Sequence, residues 1–283
     1  TYTSGSGSTE LVFRYTIQSG DNDSDGISIR ENVLALNSGT IRDPALNNAI
    51  LTHSAVDDNS SVKVDTTAPS VDNFTMSDTE LKIGDNATVT LVFSEAVCGA
   101  SSGCSLSQTG GTDFSSADIT SPSGSLNNTM SSNQANDNKT IWTGTFTPDN
   151  DTEDDSNTLS LATTYTDLAG NNGPDNETAN YKVDTLAPTV SVAITSAAGI
   201  LTYTSPDSGF VNAGDNVSVT ATFSERVIIE SGTPTIPLVV GSNTRTATYT
   251  SGDNSTALVF RYTIQAGDND SNGISIGANA LAL

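Results

Sequence analysis

TYTSGDNSTALVFRYTIQAGDNDSNGISIGANALAL, residues 248–283, repeats TYTSGSGSTELVFRYTIQSGDNDSDGISIRENVLAL, residues 1–36, at a constant offset of 247 and without a gap. Self-similarity at a fixed period is typical of stacked modules that contact their neighbours. We therefore expect the chain to be a window on a longer array. Its function should then belong to the array rather than to one pocket.

A second repeat lies inside the first. Three pairs of segments carry it: VKVDTTAPSV at 62–71 and YKVDTLAPTV at 181–190, IGDNATVTLVFSEAV at 83–97 and AGDNVSVTATFSERV at 213–227, and DPALNN at 43–48 and DLAGNN at 167–172. These pairs predict three modules in the order C-terminal part, complete module and N-terminal part, with boundaries at 1–69, 70–188 and 189–283.

The composition is acidic and rich in aspartate. The 33 acidic residues, 25 Asp and 8 Glu, outnumber the 10 basic ones, and the net charge is −23. Asp is favoured in turns and supplies oxygen ligands to cations. A chain of this charge repels nucleic acid and anionic membranes, so we expect neither as a partner. The sequence also has no run of 18 apolar residues that would predict a membrane span.

Apolar residues alternate with polar ones at a period of two, which predicts many short strands. Val217, Val219, Ala221 and Phe223 share one face, and residues 11–17 alternate in the same way. Residues 140–147 place Trp142 and Phe146 on one face. We expect an all-β fold built of sandwiches, with further strands at 87–93 and 159–165.

The motifs resemble the bacterial immunoglobulin-like repeats of large surface adhesins. The carriers are VDTTAP and VDTLAP, GDN followed by FSE, and the D-x-A-x-N-N turn. The segments LVFRYTIQAGDND and ALAL resemble the repeat type of a cyanobacterial cell-surface protein needed for swimming. The resemblance implies tandem immunoglobulin-like (Ig-like) β-sandwiches in an extended array, export to the cell surface, and calcium. It implies no catalytic activity.

Four oxygen donors are expected to meet at one pole of the middle module. In a seven-stranded sandwich, the loops after the second and sixth strands return to the pole that the linker enters. Glu95 follows the second strand, Asp167 and Asn171 follow the sixth, and Asp65 lies in the linker. Clustered carboxylates repel one another unless a cation neutralises them, so the sequence predicts calcium here. The alternative is that Asp65 and Asp167 cap their own turns and Glu95 is solvated.

The same residue types recur at the other junctions. Asp184 and Glu225 correspond to Asp65 and Glu95, and we expect them to bind calcium at the next junction. Asp43 and Asn47 represent the D-x-A-x-N-N turn of the preceding module. They show what the corresponding turn of the last module should look like.

A further calcium candidate is the D-x-D-x-[DN]-G spacing, which matches the first half of a helix–loop–helix calcium loop. It is formed by Asp21, Asp23 and Asp25, and again by Asp268, Asp270 and Asn272. The spacing departs from that loop at the twelfth position, where Asn32 and Asn279 replace a bidentate Glu. The alternative is an acidic turn between two strands.

Cys98 and Cys104 are the two cysteines and enclose five residues. A local pair in an acidic, Thr-rich β protein is typical of a small extracellular disulfide that closes one loop, and two free thiols are the alternative. With His53 as the only histidine, a zinc site is not expected.

The residues favour a mechanical function over an enzymatic one, because no nucleophile–histidine pair is repeated. We expect a calcium-stiffened stalk or spacer of a long exported surface protein, in adhesion or biofilm, whose partners are neighbouring repeats of the same chain. Two alternatives stay open: a subunit of a self-assembling extracellular filament, sheath or matrix made of identical chains, and an accessory module of a secreted hydrolase.

Overall fold

The chain forms two compact units, residues Thr1–Leu186 and Ala187–Leu283. This computed structural model describes residues 1–99, 114–127, 130–132, 140–197 and 209–281. Nearly all regular structure in these ranges is β, with a single turn of 3-10 helix at Ser116–Asp118. The all-β prediction is confirmed.

The first 64 residues contribute four short strands: β1 (Tyr2–Ser4), β2 (Val12–Phe13), β3 (Ile27–Ile29) and β4 (Val56–Asn59). β1 pairs with β2, and β3 pairs with β4, both antiparallel. The predicted strand at 11–17 is therefore wrong in its length, since only two of its residues are in a strand. Its repeat, residues 258–264, lies mostly in a nine-residue strand with a partner on each side. A sequence with alternating apolar and polar residues forms a long strand where neighbouring strands pair with it on both sides.

The middle module contains thirteen described strands. They are β5 (Val71–Met76), β6 (Glu80–Lys82), β7 (Ala87–Phe93), β8 (Val97–Cys98), β9 (Ile119–Thr120), β10 (Gly124–Leu126), β11 (Ser131–Ser132), β12 (Ile141–Pro148), β13 (Glu153–Asn157), β14 (Ser160–Leu161), β15 (Thr166–Asp167), β16 (Asn176–Glu177) and β17 (Tyr181–Asp184).

The largest sheet of this module has the order β10-β12-β7-β5, and β11 pairs with the other end of β12. β7 has the predicted bounds, and its residues 87, 89, 91 and 93 are buried. Opposite it, Trp142 pairs with Leu91 and Phe146 with Ala87. The shared face of Trp142 and Phe146 is confirmed, since both are buried.

The remaining strands form shorter sheets in the orders β13-β17-β6, β16-β14-β9 and β15-β8. β17, which carries the second VKVD-type motif, runs parallel to β6, with Val183 opposite Leu81.

The predicted strand at 159–165 is shorter than expected. Only Ser160–Leu161 is assigned to a strand, and the chain turns at residues 163–164, where the Thr164 hydroxyl donates to the Asp118 carboxylate.

These sheets enclose one apolar core. Its aromatic members lie in contact, with ring centroids 5.0 Å apart for Phe93 and Tyr165 and 5.2 Å apart for Phe146 and Tyr181. Burying side chains of this size contributes about 1.5–3 kcal/mol each. The core therefore fixes the ends of β7 and β15, from which the pole loops emerge.

The second unit contains β18 (Val190–Ala197), β19 (Asn216–Val227), β20 (Thr235–Val240), β21 (Asn243–Ser251), β22 (Ser255–Thr263) and β23 (Ser275–Ile276). They form one sheet in the order β18-β19-β22-β21-β20-β23. Val217, Val219 and Ala221 are buried and Phe223 packs against the same core, which confirms the predicted face. Phe260 and Tyr262, the repeats of the exposed Phe13 and Tyr15, are buried in this core.

Candidate metal site at the linker pole

The linker into the middle module, residues 65–70, is fixed to the F-S-E turn. Ser70 donates its N–H to the Ser94 hydroxyl at 2.9 Å, and Ser94 donates its N–H to the Ser70 carbonyl at 3.0 Å. This reciprocal pair places the next residue, Glu95, beside the linker at the end of β7. The sequence reasoning missed Ser94, although its repetition as Ser224 in the second F-S-E motif was a usable signal.

The D-x-A-x-N turn forms the other wall of the pole. Asp167 ends β15, which pairs with β8 just after the F-S-E turn. Its Oδ1 accepts the N–H groups of Ala169 and Asn171 at 2.9 and 2.8 Å, and Asn171 donates its side-chain amide to Oδ2 at 2.7 Å. The turn therefore holds the Asp167 carboxylate in one orientation while leaving it almost fully buried.

Three of the four predicted ligand residues converge. One carboxylate oxygen from each of Asp65, Glu95 and Asp167 lies within 4.8 Å of the other two. Asp65 is exposed, Glu95 is half-buried and Asp167 is buried, so the group extends from the surface into the fold. Burial, and then the charges of Asp65 and Asp167, raise the pKa of Glu95. The folded protein therefore holds this carboxylate in a position that disfavours its ionised form.

Asn171 lies at the same place, but its nitrogen faces the group. Besides Asp167, its amide N–H₂ reaches the backbone carbonyls of Asp65 and Thr67 at 3.2 and 3.3 Å. In this orientation Asn171 fastens the linker to the turn, whereas a metal ligand would present Oδ1. Asp65 also caps its own turn, because its Oδ1 accepts the N–H of Thr67 at 3.0 Å. Asp65 and Asp167 thus cap their own turns and also lie close to Glu95, so both expected features are present in the structure.

The donor set fits a hard divalent cation. Calcium takes six to eight oxygens at 2.3–2.6 Å, so two of its ligands lie up to about 5 Å apart. The spacing of the three carboxylates satisfies this limit. Such an ion would be held by Asp65, Glu95 and Asp167, and it would supply the positive charge that removes their mutual repulsion. Among the described residues, no other group of three or more His, Cys, Asp or Glu side chains has this spacing.

Residues 65–183 match the family model of the bacterial Ig-like domain. The Ig-like domain begins at Asp65 and includes Glu95, Asp167 and Asn171, so the whole candidate site lies inside it. Ig-like domains of this family are a non-catalytic structural type and are common in surface proteins. A search of curated proteins finds no match to the chain.

The match supports a surface-protein repeat module with an Ig-like fold. The narrower likeness to a cyanobacterial motility protein stays a prediction. The division into modules at residues 69 and 188 likewise stays a prediction, since the Ig-like match covers only the middle segment. In the described residues, no helix has the length and apolar character needed to cross a membrane.

The preceding copy of the D-x-A-x-N turn has the same hydrogen bonds. Asn47 donates its N–H to Asp43 Oδ1 and its amide to Oδ2, both at 2.8 Å, and the amide is the main cause that lowers the pKa of Asp43. Here, however, both residues are exposed. The motif therefore encodes the turn itself, and its surroundings decide whether other carboxylates approach it.

The two carboxylates predicted for the next junction lie in different units. Asp184 ends β17 in the first unit, and Glu225 lies in β19 of the second. Within the second unit, Thr189 and Ser224 repeat the two hydrogen bonds of Ser70 and Ser94. Thr189 N–H donates to the Ser224 hydroxyl and Ser224 N–H donates to the Thr189 carbonyl, both at 2.9 Å. Glu225 nevertheless lies within β19, whereas Glu95 follows the end of β7, so the two glutamates differ in local structure. Calcium at this junction stays a prediction.

The first D-x-D-x-D-G loop satisfies its carboxylates with protein donors. Asp21 Oδ2 accepts the N–H of Gln18 and the Tyr15 hydroxyl, which lower the pKa of Asp21 in that order. Asp23 Oδ1 accepts the N–H of Gly26 at 2.8 Å. Asp25 is exposed, and the three side chains do not form a group with metal-ligand spacing. This pattern supports the acidic turn.

In the second copy of this loop, a cation from the protein pairs with the first aspartate. Arg245 Nη2 lies 2.6 Å from Asp268 Oδ1, and the Asp268 side chain is 1% exposed. Hydrogen bonds from the Tyr262 hydroxyl and the Gln265 N–H are the main causes that lower the pKa of Asp268. Asp270 accepts the N–H groups of Gly241, Asn272 and Gly273. Asn272 thus donates its backbone N–H to Asp270. Arg245 provides a positive charge beside Asp268, where the sequence predicts a calcium ion.

Cys98 is buried in β8 and is disulfide-bonded. Its predicted partner, Cys104, lies outside the described residues, so the pairing stays a prediction. Because Cys98 pairs with Thr166 across β8 and β15, a bond at this position would tie the neighbouring loop to the strand that presents Asp167.

Proposed function

We propose that the chain is a stretch of tandem Ig-like modules in an exported cell-surface protein, and that it acts as a calcium-stiffened stalk or spacer in adhesion. The observation that carries the proposal is the convergence of Asp65, Glu95 and Asp167. These residues come from the linker and from two loops of the module that follows it. A cation bound to all three would restrict bending of the linker.

The charge of the chain supports the same role. At a net charge of −23, neighbouring acidic segments repel one another, and a cation at the linker would offset this repulsion. Within the module, the linker is held by the bonds between Ser70 and Ser94 and by the Asn171 side-chain amide. Calcium would act by adding a charge-neutralising contact to Asp65, the exposed member of the group.

Calorimetric titration of the whole chain with calcium, in the presence of magnesium, tests the binding. At a hundredfold excess over Kd, binding to the folded form alone adds about 2.7 kcal/mol to the free energy of unfolding. Calcium should therefore raise the melting temperature, and chelation should shorten the particle measured by small-angle X-ray scattering.

Glu95→Gln removes one charge from the group and should weaken the response to calcium. Glu80→Gln, an exposed glutamate of the same module that lies outside the group, is the matched control and should respond like the unmodified chain. Absence of calcium binding at millimolar concentration, with melting and dimensions unchanged by chelator, would refute the stiffening role while leaving the Ig-like fold intact.

A further inference from the structure

The second unit contains an asparagine followed by a glycine in an exposed turn. Asn272 and Gly273 lie between β22 and β23, and Asn272 is exposed. The glycine has a positive φ of +103°, a conformation that other residues rarely adopt. Asparagine is one of the thermolabile residues of proteins, and a following glycine leaves its side-chain amide accessible to the next backbone nitrogen, because no Cβ shields that nitrogen.

The 247-residue repeat shows that a side chain at this position reaches solvent whether or not a strand pairs with the segment. Residues 23–29 of the first unit and residues 270–276 of the second differ only at one position, Asp25 against Asn272. In the first unit this segment contains β3, which pairs with β4, and Asp25 is exposed all the same. The exposure of Asn272 therefore does not depend on what lies beside it.

The repeat also shows that an aspartate fits the same turn. Gly26 N–H donates to Asp23 Oδ1 at 2.8 Å, and Gly273 N–H donates to Asp270 Oδ1 at 2.9 Å. Both glycines have positive φ, +122° and +103°. Conversion of Asn272 to aspartate therefore produces a residue that the first copy already holds in this turn with the same hydrogen bond.

The other Asn-Gly pair of the chain, Asn172 and Gly173, is held in place by its surroundings. Gly173 N–H donates to the Tyr165 carbonyl at 3.1 Å, and Asn172 forms a bridge with Thr166. A Cβ on Gly173 would lie 2.1 Å from the Tyr165 ring, so the ring packs directly on this backbone. The Gly173 nitrogen cannot approach its neighbouring amide without disturbing the core, and this pair is an internal control.

At Asn272 the Gly273 nitrogen is held by a side chain instead. Asp270 Oδ1 accepts the N–H groups of Asn272 and Gly273 at 3.1 and 2.9 Å, and its Oδ2 accepts that of Gly241 at 2.8 Å. A nitrogen that donates this bond must release it before it attacks the asparagine side chain. Asp270 therefore restrains the reaction but, unlike a buried ring, leaves the turn free to rearrange.

We propose that Asn272 is a site of spontaneous deamidation and that Asp270 slows the reaction. The Gly273 nitrogen loses its proton and bonds to Cγ of Asn272, the side-chain nitrogen leaves as ammonia, and a succinimide ring forms. Water then opens the ring at either carbonyl and gives aspartate or isoaspartate. The net reaction consumes one water and releases one ammonia, with no change in oxidation state.

The product changes the charge of the loop. Each event adds one carboxylate, and residues 268–273 of the aspartate form then read DNDSDG, as residues 21–26 do. Isoaspartate instead places one additional methylene in the backbone before Gly273. Neither outcome requires calcium, so the inference is independent of the proposed stiffening role.

The test is incubation of the whole folded chain at neutral pH, followed by peptide mapping with mass spectrometry. The peptide that contains Asn272 should show the mass gain of amide-to-acid exchange at least about tenfold faster than the peptide that contains Asn172. In urea the two peptides should convert at similar rates, because the difference comes from the fold. Asn272→Asp provides the chromatographic standard that separates aspartate from isoaspartate.

Asp270→Ala should speed the conversion about two- to tenfold, the rate equivalent of one hydrogen bond. Asn272→Gln is the matched control and should abolish the mass gain in this peptide, because its longer side chain places the amide carbon out of position for the five-membered ring. Circular dichroism checks that both variants keep the sheet; if Asp270→Ala does not, the comparison of Asn272 with Asn172 in the unmodified chain decides. Equal rates at the two asparagines in the folded chain, or an unchanged rate in folded Asp270→Ala, overturn the proposal.

Discussion

Asn171 donates to both carboxylate oxygens of Asp167, from its backbone N–H to Oδ1 at 2.8 Å and from its side-chain amide to Oδ2 at 2.7 Å. Asn47 makes the same two bonds to Asp43. The turns differ in what surrounds them, since Asp167 is buried and Asp43 is exposed. One motif therefore provides a matched pair of sites for mutation.

Asn171→Ala should destabilise the middle module by about 1–3 kcal/mol, because it removes a donor from a buried carboxylate and unties the linker carbonyls of Asp65 and Thr67. Trp142 is the only Trp and lies in the core of this module, so urea denaturation followed by its fluorescence measures the change. Asn47→Ala should leave the Trp142 transition unchanged. Equal shifts in both variants would show that Asn171 is only a local cap.

Without calcium, Glu95→Gln should stabilise the chain at neutral pH. The folded-state pKa of Glu95 lies above the ordinary value, mainly through burial, so ionised Glu95 is disfavoured in the folded protein. The resulting penalty is absent below the ordinary pKa of 4.5, grows as the pH rises through the folded pKa, and is complete above it.

Melting curves of both proteins in chelator, from pH 4 to pH 8, check the sign. The melting temperature of Glu95→Gln should exceed that of the unmodified chain at the upper end, and the two should converge at the lower end. In calcium the order at neutral pH should reverse, because the variant has lost a ligand. A constant difference across the pH range would contradict the assignment of the effect to ionisation of Glu95.

The sequence predicts the position of the candidate site better than its chemistry. Strand ends can be read from alternation, and two loops at one pole must meet the linker, which places Asp65, Glu95 and Asp167 together. The orientation of the Asn171 amide could not be predicted, because it depends on two linker carbonyls more than 100 residues away.

Partners distant in sequence also explain two departures from the expected structure. The expected strand at 159–165 stops at Leu161, and in the turn that follows the Thr164 hydroxyl donates to the Asp118 carboxylate, a contact that no local pattern reports. At Asp268, where calcium stays a prediction, the carboxylate pairs with Arg245, which lies 23 residues earlier in β21. The spacing of a motif indicates which carboxylates lie near one another. Whether an arginine or lysine side chain also reaches them depends on the register of neighbouring strands.

Gly173→Ala should destabilise the middle module by overpacking. A Cβ at residue 173 would lie 2.1 Å from Cε2 and Cζ of Tyr165, whose ring is fully buried against Phe93 and Phe114. We expect a loss of about 1–3 kcal/mol and an altered near-ultraviolet circular dichroism signal. Gly170→Ala, with positive φ and open space among the described residues, should cost about 1 kcal/mol and leave that signal intact. An unchanged spectrum for Gly173→Ala would mean that the ring can move aside.

Raising the pH should unfold the middle module through its buried tyrosines. Burial, and then the charge of Asp175, raise the pKa of Tyr165 to about 12, and its hydroxyl donates to the Pro174 carbonyl at 2.9 Å. Burial also raises the pKa of Tyr181. Because the folded state holds these protons more tightly, their contribution to stability is complete below the ordinary pKa of 10 and is lost as the pH rises through the folded values.

Tyr165→Phe separates the Tyr165 contribution from the rest. At neutral pH it should cost about 0.5–1.5 kcal/mol, because the bond to Pro174 is lost. Between pH 10 and pH 12 it should lose less stability than the unmodified chain, so the two stability curves approach each other. Urea denaturation followed by Trp142 fluorescence at each pH gives both curves, and Tyr2→Phe, at an exposed tyrosine of the first strand, is the control. Curves that stay parallel for Tyr165→Phe would show that its hydroxyl ionises equally easily in the folded and unfolded chain.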